Sequence, residues 1–337
     1  MTILTAQQAL LKAQILDLSR QNNLDGLDQW FDQRLDAMIV DGTFLPEHSL
    51  QLVSDRITHD LVEYRVEAGI DTVVLGMSGG VDSALTAAKF KQAGWRVIGV
   101  TMPIHQEQSE TDRGIEACNA IGIEHLHIDL SDLYDATLKA EAILDDKLIV
   151  ETFEFENKPT LIRRGNIRAR LRMITLYNLA AKYRGLVAST DNWSELTAGF
   201  WTLHGDVGDL SPIQSLLKSW EVPYLAKING VPESTYRATP TDGLGIDAGD
   251  EAQLGASYLE WDIMALTLAY DPDVNTGTFP ERSETVRDAV RTRIAGSWFK
   301  RKGPVNLRHA FADNRLTADR YTLAEILDSE FIPHIAQ

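Results

Sequence analysis

Residues 76–83 read Gly-Met-Ser-Gly-Gly-Val-Asp-Ser, between an apolar run at Thr72–Leu75 and a helix-forming stretch at Ala84–Phe90. Strand, glycine turn and helix in that order restrict the chain to a βα unit at this point. Glycines let the backbone approach a bound group with no Cβ in the way. The helix start presents unpaired N–H groups and the positive end of its dipole. Together they form an anion site, whose usual occupant is a phosphate. The hydroxyls of Ser78 and Ser83 add donors. Asp82 would be repelled by phosphates unless a cation lay between them, so the octet predicts that Asp82 helps hold Mg²⁺. A Walker loop needs a lysine after its second glycine, and a dinucleotide fingerprint needs Gly-x-Gly-x-x-Gly. Neither is present.

The octet is the first step of an alternation. Strands are predicted at Val73–Met77, Arg96–Met102, His125–Leu130 and Leu186–Ser189. Helices are predicted at Asp82–Ala93, Thr111–Ile121, Ser131–Leu144 and Thr160–Arg184. This order argues an α/β fold, a doubly wound parallel sheet with helices on both faces. Ligands of such sheets bind at the carboxyl ends of the strands, where 78–83, 102–106 and 190–195 should converge. Ahead of the alternation, residues 1–45 read as a helical N-terminal extension. Leu50, Val53, Ile57, Leu61 and Tyr64 recur every three or four positions, so 48–68 reads as a helix with one face inward. Residues 240–257, rich in Gly and Asp, read as a loop. The main domain is expected over 46–305, followed by a C-terminal extension over 306–337.

The formal charge of −17 excludes non-specific nucleic-acid binding, which demands a basic surface. It also means that an anionic substrate needs local clusters of Arg or Lys. Cys118 is the single cysteine, so an intramolecular disulfide and a multi-cysteine metal site are both excluded. No apolar run approaches membrane-spanning length, and the N-terminus carries no secretion signal, so a cytoplasmic protein is expected.

A second group of residues falls later in the chain. Gly165-Asn166-Ile167-Arg168-Ala169-Arg170-Leu171-Arg172 lies inside the long helix, whose buried stripe is expected at Ile167, Leu171, Ile174, Tyr177 and Ala181. Arg163, Arg170 and Asn166 fall away from that stripe. Such arginines either form a solvated face or recognise phosphate or carboxylate. At the end of a predicted strand stands Thr190-Asp191-Asn192-Trp193-Ser194-Glu195. Thr190 can donate to a nucleotide, and Glu195 can be the second carboxylate on the metal met at Asp82. Gly205-Asp206-Val207-Gly208-Asp209-Leu210-Ser211-Pro212, Lys218 and Pro240-Thr241-Asp242-Gly243-Leu244 follow.

The octet resembles the pyrophosphate loop of the ATP-pyrophosphatase group, and alone is shared with GMP and argininosuccinate synthetases. Taken in order with the later motifs, with Asp250-Glu251…Leu254-Gly255…Tyr258 and with Lys300-Arg301, the set resembles NAD synthetase over roughly residues 48–305. The resemblance implies a sheet of the adenine nucleotide α-hydrolase type and a homodimer with the dinucleotide near the subunit interface. It implies that Gly76, Met77, Ser78, Gly79, Gly80, Val81, Asp82 and Ser83 lie on the ATP phosphates. Asp82, Ser78 and Ser83 would be catalytic, and Asp82 and Glu195 would hold Mg²⁺. Thr190, Lys218 and Thr241 would contact ATP. Arg170, Asp209 and Lys300 would bind nicotinate adenine dinucleotide. Three features depart from the family pattern, all on the dinucleotide side. Leu203-His204 replace a Lys-aromatic pair, the spacing to the Asp-x-x-Pro motif is one residue short, and Phe299 replaces a histidine.

The implied reaction is ATP-dependent amidation of the nicotinate carboxylate through an acyl-adenylate, releasing AMP and pyrophosphate. Free ammonia is the expected nitrogen donor, since Cys118 lies within the α/β region and no glutaminase domain fits; a separate glutaminase subunit is the other source. Two rivals stand beside this reading. One is an ATP-pyrophosphatase adenylating a different substrate. The other is a non-catalytic nucleotide-binding homologue.

Overall fold

The computed structural model describes residues 3–19, 27–148, 158–241, 249–270 and 279–301. The expected C-terminal extension, 306–337, and the Asp242-Gly243-Leu244 part of the late motif lie outside them.

Two helices lead the chain, α1 (Ala6–Ser19) and α2 (Gln29–Asp41). Asp28 caps α2, its Oδ1 accepting from the N–H groups of Trp30 and Phe31 at 2.9 and 3.0 Å. Next comes α3 (Glu47–Ala68), which buries Leu50 and Leu61 and half-buries Val53, Ile57 and Tyr64, the face expected from their spacing. The alternation then runs β1 (Thr72–Gly76), α4 (Val81–Gln92), β2 (Arg96–Thr101), α5 (Gln108–Ile121), β3 (Glu124–His127), α6 (Ser131–Leu148), α7 (Lys158–Tyr183) and β4 (Leu186–Val187). Six helices follow: α8 (Trp193–Ala198), α9 (Glu221–Ile228), α10 (Glu233–Tyr236), α11 (Asp250–Leu254), α12 (Tyr258–Tyr270) and α13 (Glu281–Gly296). A 3-10 turn, Trp298–Arg301, comes last. The short α11 replaces part of the loop expected over 240–257. Among the described residues no helix is long and apolar enough to cross a membrane.

The strands pair in parallel in the order β3-β2-β1-β4. Val73 and Leu75 face one apolar cluster and Val74 the other, as period-two alternation requires. The α4 and α5 helices cover the first face, and α7, backed by α6, covers the second. The third strand is shorter than its sequence suggests. Beyond His127 its backbone still donates, from Ile128 to the Thr101 carbonyl and from Leu130 to Pro103, without regular pairing.

The leading helices belong to the same apolar cluster as the sheet. Ile15 of α1 and Phe31 and Leu35 of α2 are buried in it together with Val73 and Leu75. The α2 helix packs on α12, which is buried along nearly its whole length. Cys118 is buried in this cluster, and burial pushes its thiol up to about 12, so it acts as a small core residue.

One helix turns a different face inward from the one its sequence suggests. The α7 helix buries Ala169, Leu171, Met173, Leu176 and Ala180 against the sheet. Ile174 and Tyr177, expected inside, are 65% and 42% exposed, and Ala181 is exposed too. The helix carries two adjoining apolar stripes, and the sheet takes the one bearing Met173, Leu176 and Ala180.

Candidate active site

The octet forms the turn from β1 into α4. Gly79 has φ +86°, and a Cβ there would lie 2.2 Å from the carbonyl oxygen of Glu110. Only glycine meets both conditions at that point. Gly80 is the N-cap of α4 and provides no side-chain cap, so the first N–H groups of the helix have no partner from that side chain. Ser78 Oγ accepts from the Gly80 N–H at 3.2 Å, and Ser83 Oγ donates to the Gly80 carbonyl at 3.1 Å. The two hydroxyls lie 3.2 Å apart.

The turn is one wall of a cleft of about 280 Å³ at the carboxyl ends of the strands. All eight octet residues line it, with Met102 and Gln106 after β2 and Thr190, Asp191 and Glu195 after β4. The three segments expected to converge do so. Lys218, Thr241 and Asp250 reach the same space.

Asp82 and Glu195 meet there, although 113 residues apart in number. Asn192 joins them. Its Oδ1 caps α8 by accepting from the Glu195 N–H at 3.0 Å, and its Nδ2 donates to Asp82 Oδ1 at 2.9 Å. A buried amide thus fixes the helix start carrying one carboxylate while holding the other. Lys218 lies between them, its Nζ in contact with Asp82 Oδ2 and 3.5 Å from Glu195 Oε1.

Burial lowers the Lys218 ammonium, but Asp82 and Glu195 outweigh it and hold the group charged. Burial raises Glu195 well above the usual carboxylate range. Lys218 opposes that rise, while Asp82, Asp250 and Asp191 add to it. Burial, then Asp206 and Asp82, push Asp191 up to about 7. One ammonium therefore faces an excess of carboxylates.

Several residues absent from the sequence-based site lie in the cleft. Arg172 donates to the Met102 carbonyl at 3.1 Å and to Gln106 Oε1 at 2.9 Å, pinning the segment after β2. Burial, then Arg168, lower its pKa. Asp206 also lines the cleft and accepts from the Thr202 N–H. These two, with Asp191, Asn192 and Asp250, stand inside motifs visible in the sequence, which assigns them no role. Arg113 stands in no motif at all.

Three expected residues do not line the cleft. Arg170 is exposed and donates to the Leu203 carbonyl at 3.3 and 3.2 Å. Asp209 accepts from the Tyr177 hydroxyl and the Val187 N–H, both at 2.9 Å. Lys300 donates to the carbonyls of Gly199 and Trp201, behind the wall formed by Phe200 and Trp201. His204, beside Leu203, is exposed and has φ +61°.

Residues 53–304 match the sequence profile of NAD synthase. The chain belongs to the NAD synthase family. With that membership comes a class, ligases that form a carbon–nitrogen bond, and the binding of ATP. A protein of Alkaliphilus oremlandii named NH(3)-dependent NAD(+) synthetase is 36% identical over 213 residues, covering 62% of this chain and 83% of its own. An NH3-dependent NAD synthetase from Campylobacter jejuni subsp. jejuni, solved with a nitrate ion, superposes with a TM-score of 0.61 at 27% identity, over 77% of this chain and 99% of that one. An NMN synthetase from Francisella tularensis superposes at 0.64 with 25% identity, over 77% and 99%. The sheet of this NAD synthase family member is accordingly of the adenine nucleotide α-hydrolase type.

Proposed function

We propose that this chain amidates nicotinate adenine dinucleotide to NAD in the cytoplasm, with ATP and ammonia as co-substrates. The observation that carries the reading is the meeting of the octet, Asp82, Glu195 and Lys218 in one cleft of an NAD synthase family chain.

The donor set fits a hard divalent cation. Carboxylate oxygens of Asp82 and Glu195 both face the Lys218 ammonium, and the charges of Asp191 and Asp250 add to the local negative potential, so one cation leaves the cluster short of positive charge. Asp82 and Glu195 would hold Mg²⁺, whose chemistry is to neutralise charge on phosphate oxygens. The chain's own residues do the rest. The first N–H groups of α4, with Ser78 and Ser83, receive the phosphates. Thr190, Lys218 and Thr241 hold the nucleotide. An oxygen of the nicotinate carboxylate attacks the α-phosphorus of ATP. The bond from that phosphorus to the bridging oxygen breaks, and pyrophosphate leaves with the electron pair. Ammonia then attacks the acyl carbon, AMP leaves, and one proton is released as the amide forms. Positioning and preorganised charge supply the catalysis, with no protein nucleophile.

Arg170, Asp209 and Lys300 are assigned to the dinucleotide. Their positions outside the cleft are consistent with a site that two subunits complete. The exposed Ile174 and Tyr177, on the face of α7 near Asp209, support a homodimer packed there. Free ammonia is the assigned donor, and a separate glutaminase subunit is the alternative.

A second reading is favoured by Leu203-His204 and Phe299, and by the likeness to a protein named NMN synthetase. In it the substrate is nicotinate mononucleotide. The test is to supply purified chain, ATP, Mg²⁺ and ammonium with each nucleotide in turn, and to follow AMP, pyrophosphate and amide product. A higher kcat/KM for the dinucleotide supports the first reading, and a higher one for the mononucleotide replaces it. No pyrophosphate with either nucleotide removes both in favour of a non-catalytic role.

A further inference from the structure

We propose that Arg113 is a further catalytic residue, one that grips the departing pyrophosphate; the claim rests on the reading of the cleft as an ATP site. Arg113 lies on the face of α5 that packs against the octet, between Glu110 and Gly114. A Cβ built on Gly114 would fall 2.6 Å from the Met77 carbonyl oxygen, so this face of α5 lies hard against the turn. The Arg113 Cβ is 3.4 Å from the point a Cβ on Gly79 would occupy. Its stem therefore crosses the glycine turn, and its Nε reaches the Gly79 carbonyl at 3.4 Å. Its two terminal nitrogens hold no partner among the described residues, and the residue lines the cleft.

Charge gives this cation a task. Among the described residues, six carboxylates line the cleft: Asp82, Glu110, Asp191, Glu195, Asp206 and Asp250. Against them stand Arg113, Arg172 and Lys218. Lys218 is engaged by Asp82 and Glu195, and Arg172 by a carbonyl and an amide oxygen. A polyanion entering this acidic cleft thus meets, at the turn where the β- and γ-phosphates belong, a fork whose two terminal nitrogens are both unpartnered among the described residues. When the bond between the α-phosphorus and the bridging oxygen breaks, that oxygen and the pyrophosphate take the electron pair. A guanidinium matches paired phosphate oxygens in geometry and stays charged throughout.

The test uses the full chain, its R113M and R113K variants, and inorganic pyrophosphate with Mg²⁺ as the probe. Pyrophosphate affinity is measured by calorimetry, and product inhibition by pyrophosphate and by AMP is measured in turnover. The expected result is a pyrophosphate affinity at least tenfold weaker in R113M, a lower kcat, and AMP inhibition within twofold of the native chain. R113K should fall between, since it keeps the charge and loses the fork. Pyrophosphate affinity within twofold of native in R113M overturns the proposal, as does equal weakening of AMP and pyrophosphate. Should R113M not fold, R113K decides alone by the same selective loss. A native chain that binds pyrophosphate but makes no AMP would refute the assigned function while leaving Arg113 to be judged by calorimetry.

Discussion

The ATP side of the cleft and the dinucleotide side are built by different means. Every residue assigned to ATP lines a single cleft of a single chain, where the octet after β1 and Thr190 after β4 meet Lys218 and Thr241 from later in the chain. The residues assigned to the dinucleotide do not. Arg170 and Asp209 lie on the surface near exposed Ile174 and Tyr177, and Lys300 is occupied by two backbone carbonyls. Strand ends can gather distant motifs by topology alone. A site spread over a helix face needs a second surface to enclose it. The departures at Leu203, His204 and Phe299 all fall on the second, open side.

The sharpest way to break this contrast is at Asp82. D82N leaves the loop backbone in place but removes one of the two carboxylates facing Lys218. Pyrophosphate release is expected to fall by about 10²- to 10³-fold, the usual cost of one preorganised electrostatic partner. Circular dichroism should remain native. Full activity would remove Asp82 from the metal role.

The complementary blow falls on the exposed face of α7. Y177D should weaken self-association, read by sedimentation, and raise KM for the dinucleotide by about tenfold, a cost of roughly 1.4 kcal/mol. ATP affinity should stay within twofold. Equal loss on both sides would mean that the two halves are not separately built.

A smaller effect is expected at Asn192, which ties the two carboxylates together. N192A uncaps α8 and frees Asp82, and should destabilise the chain by about 1–2 kcal/mol in urea titrations. Turnover should fall more than ATP affinity does.

The smallest effect is one of pH. Asp191 is raised to about 7, above an unfolded value of about 4, so the folded chain binds that proton more tightly. The stability it contributes is present below about pH 4 and is lost as pH rises through about 7. D191N should therefore give a flatter melting profile between about pH 5 and 8, with a gain at the upper end on the order of 1 kcal/mol. Parallel profiles would remove Asp191 from the cluster's electrostatics.

The octet and the alternation around it were legible because they are local. Strand hydrophobicity, glycine and helix start all fall within a few residues, and β1 and α4 begin one residue from their expected places. Chemistry pairs Asp82 with Glu195, and topology brings them together. The unread parts are those that tertiary context decides. Periodicity marks α7 as amphipathic, but two apolar stripes adjoin, and the choice of Met173 over Ile174 is made by the sheet. Asn192 carries no mark of its role in the sequence, because a capping residue and a carboxylate-holding residue look alike until Asp82 arrives beside it. Arg113 gave no signal, being one charge on an ordinary helix whose neighbour happens to be a glycine turn.

Lys218 has a practical consequence. An internal ammonium already bridges the acidic pair, so the integrity of this region does not hang on a mineral guest. Treatment with a chelator should silence the enzyme without softening it, and dialysis back into magnesium should return the activity with no refolding lag.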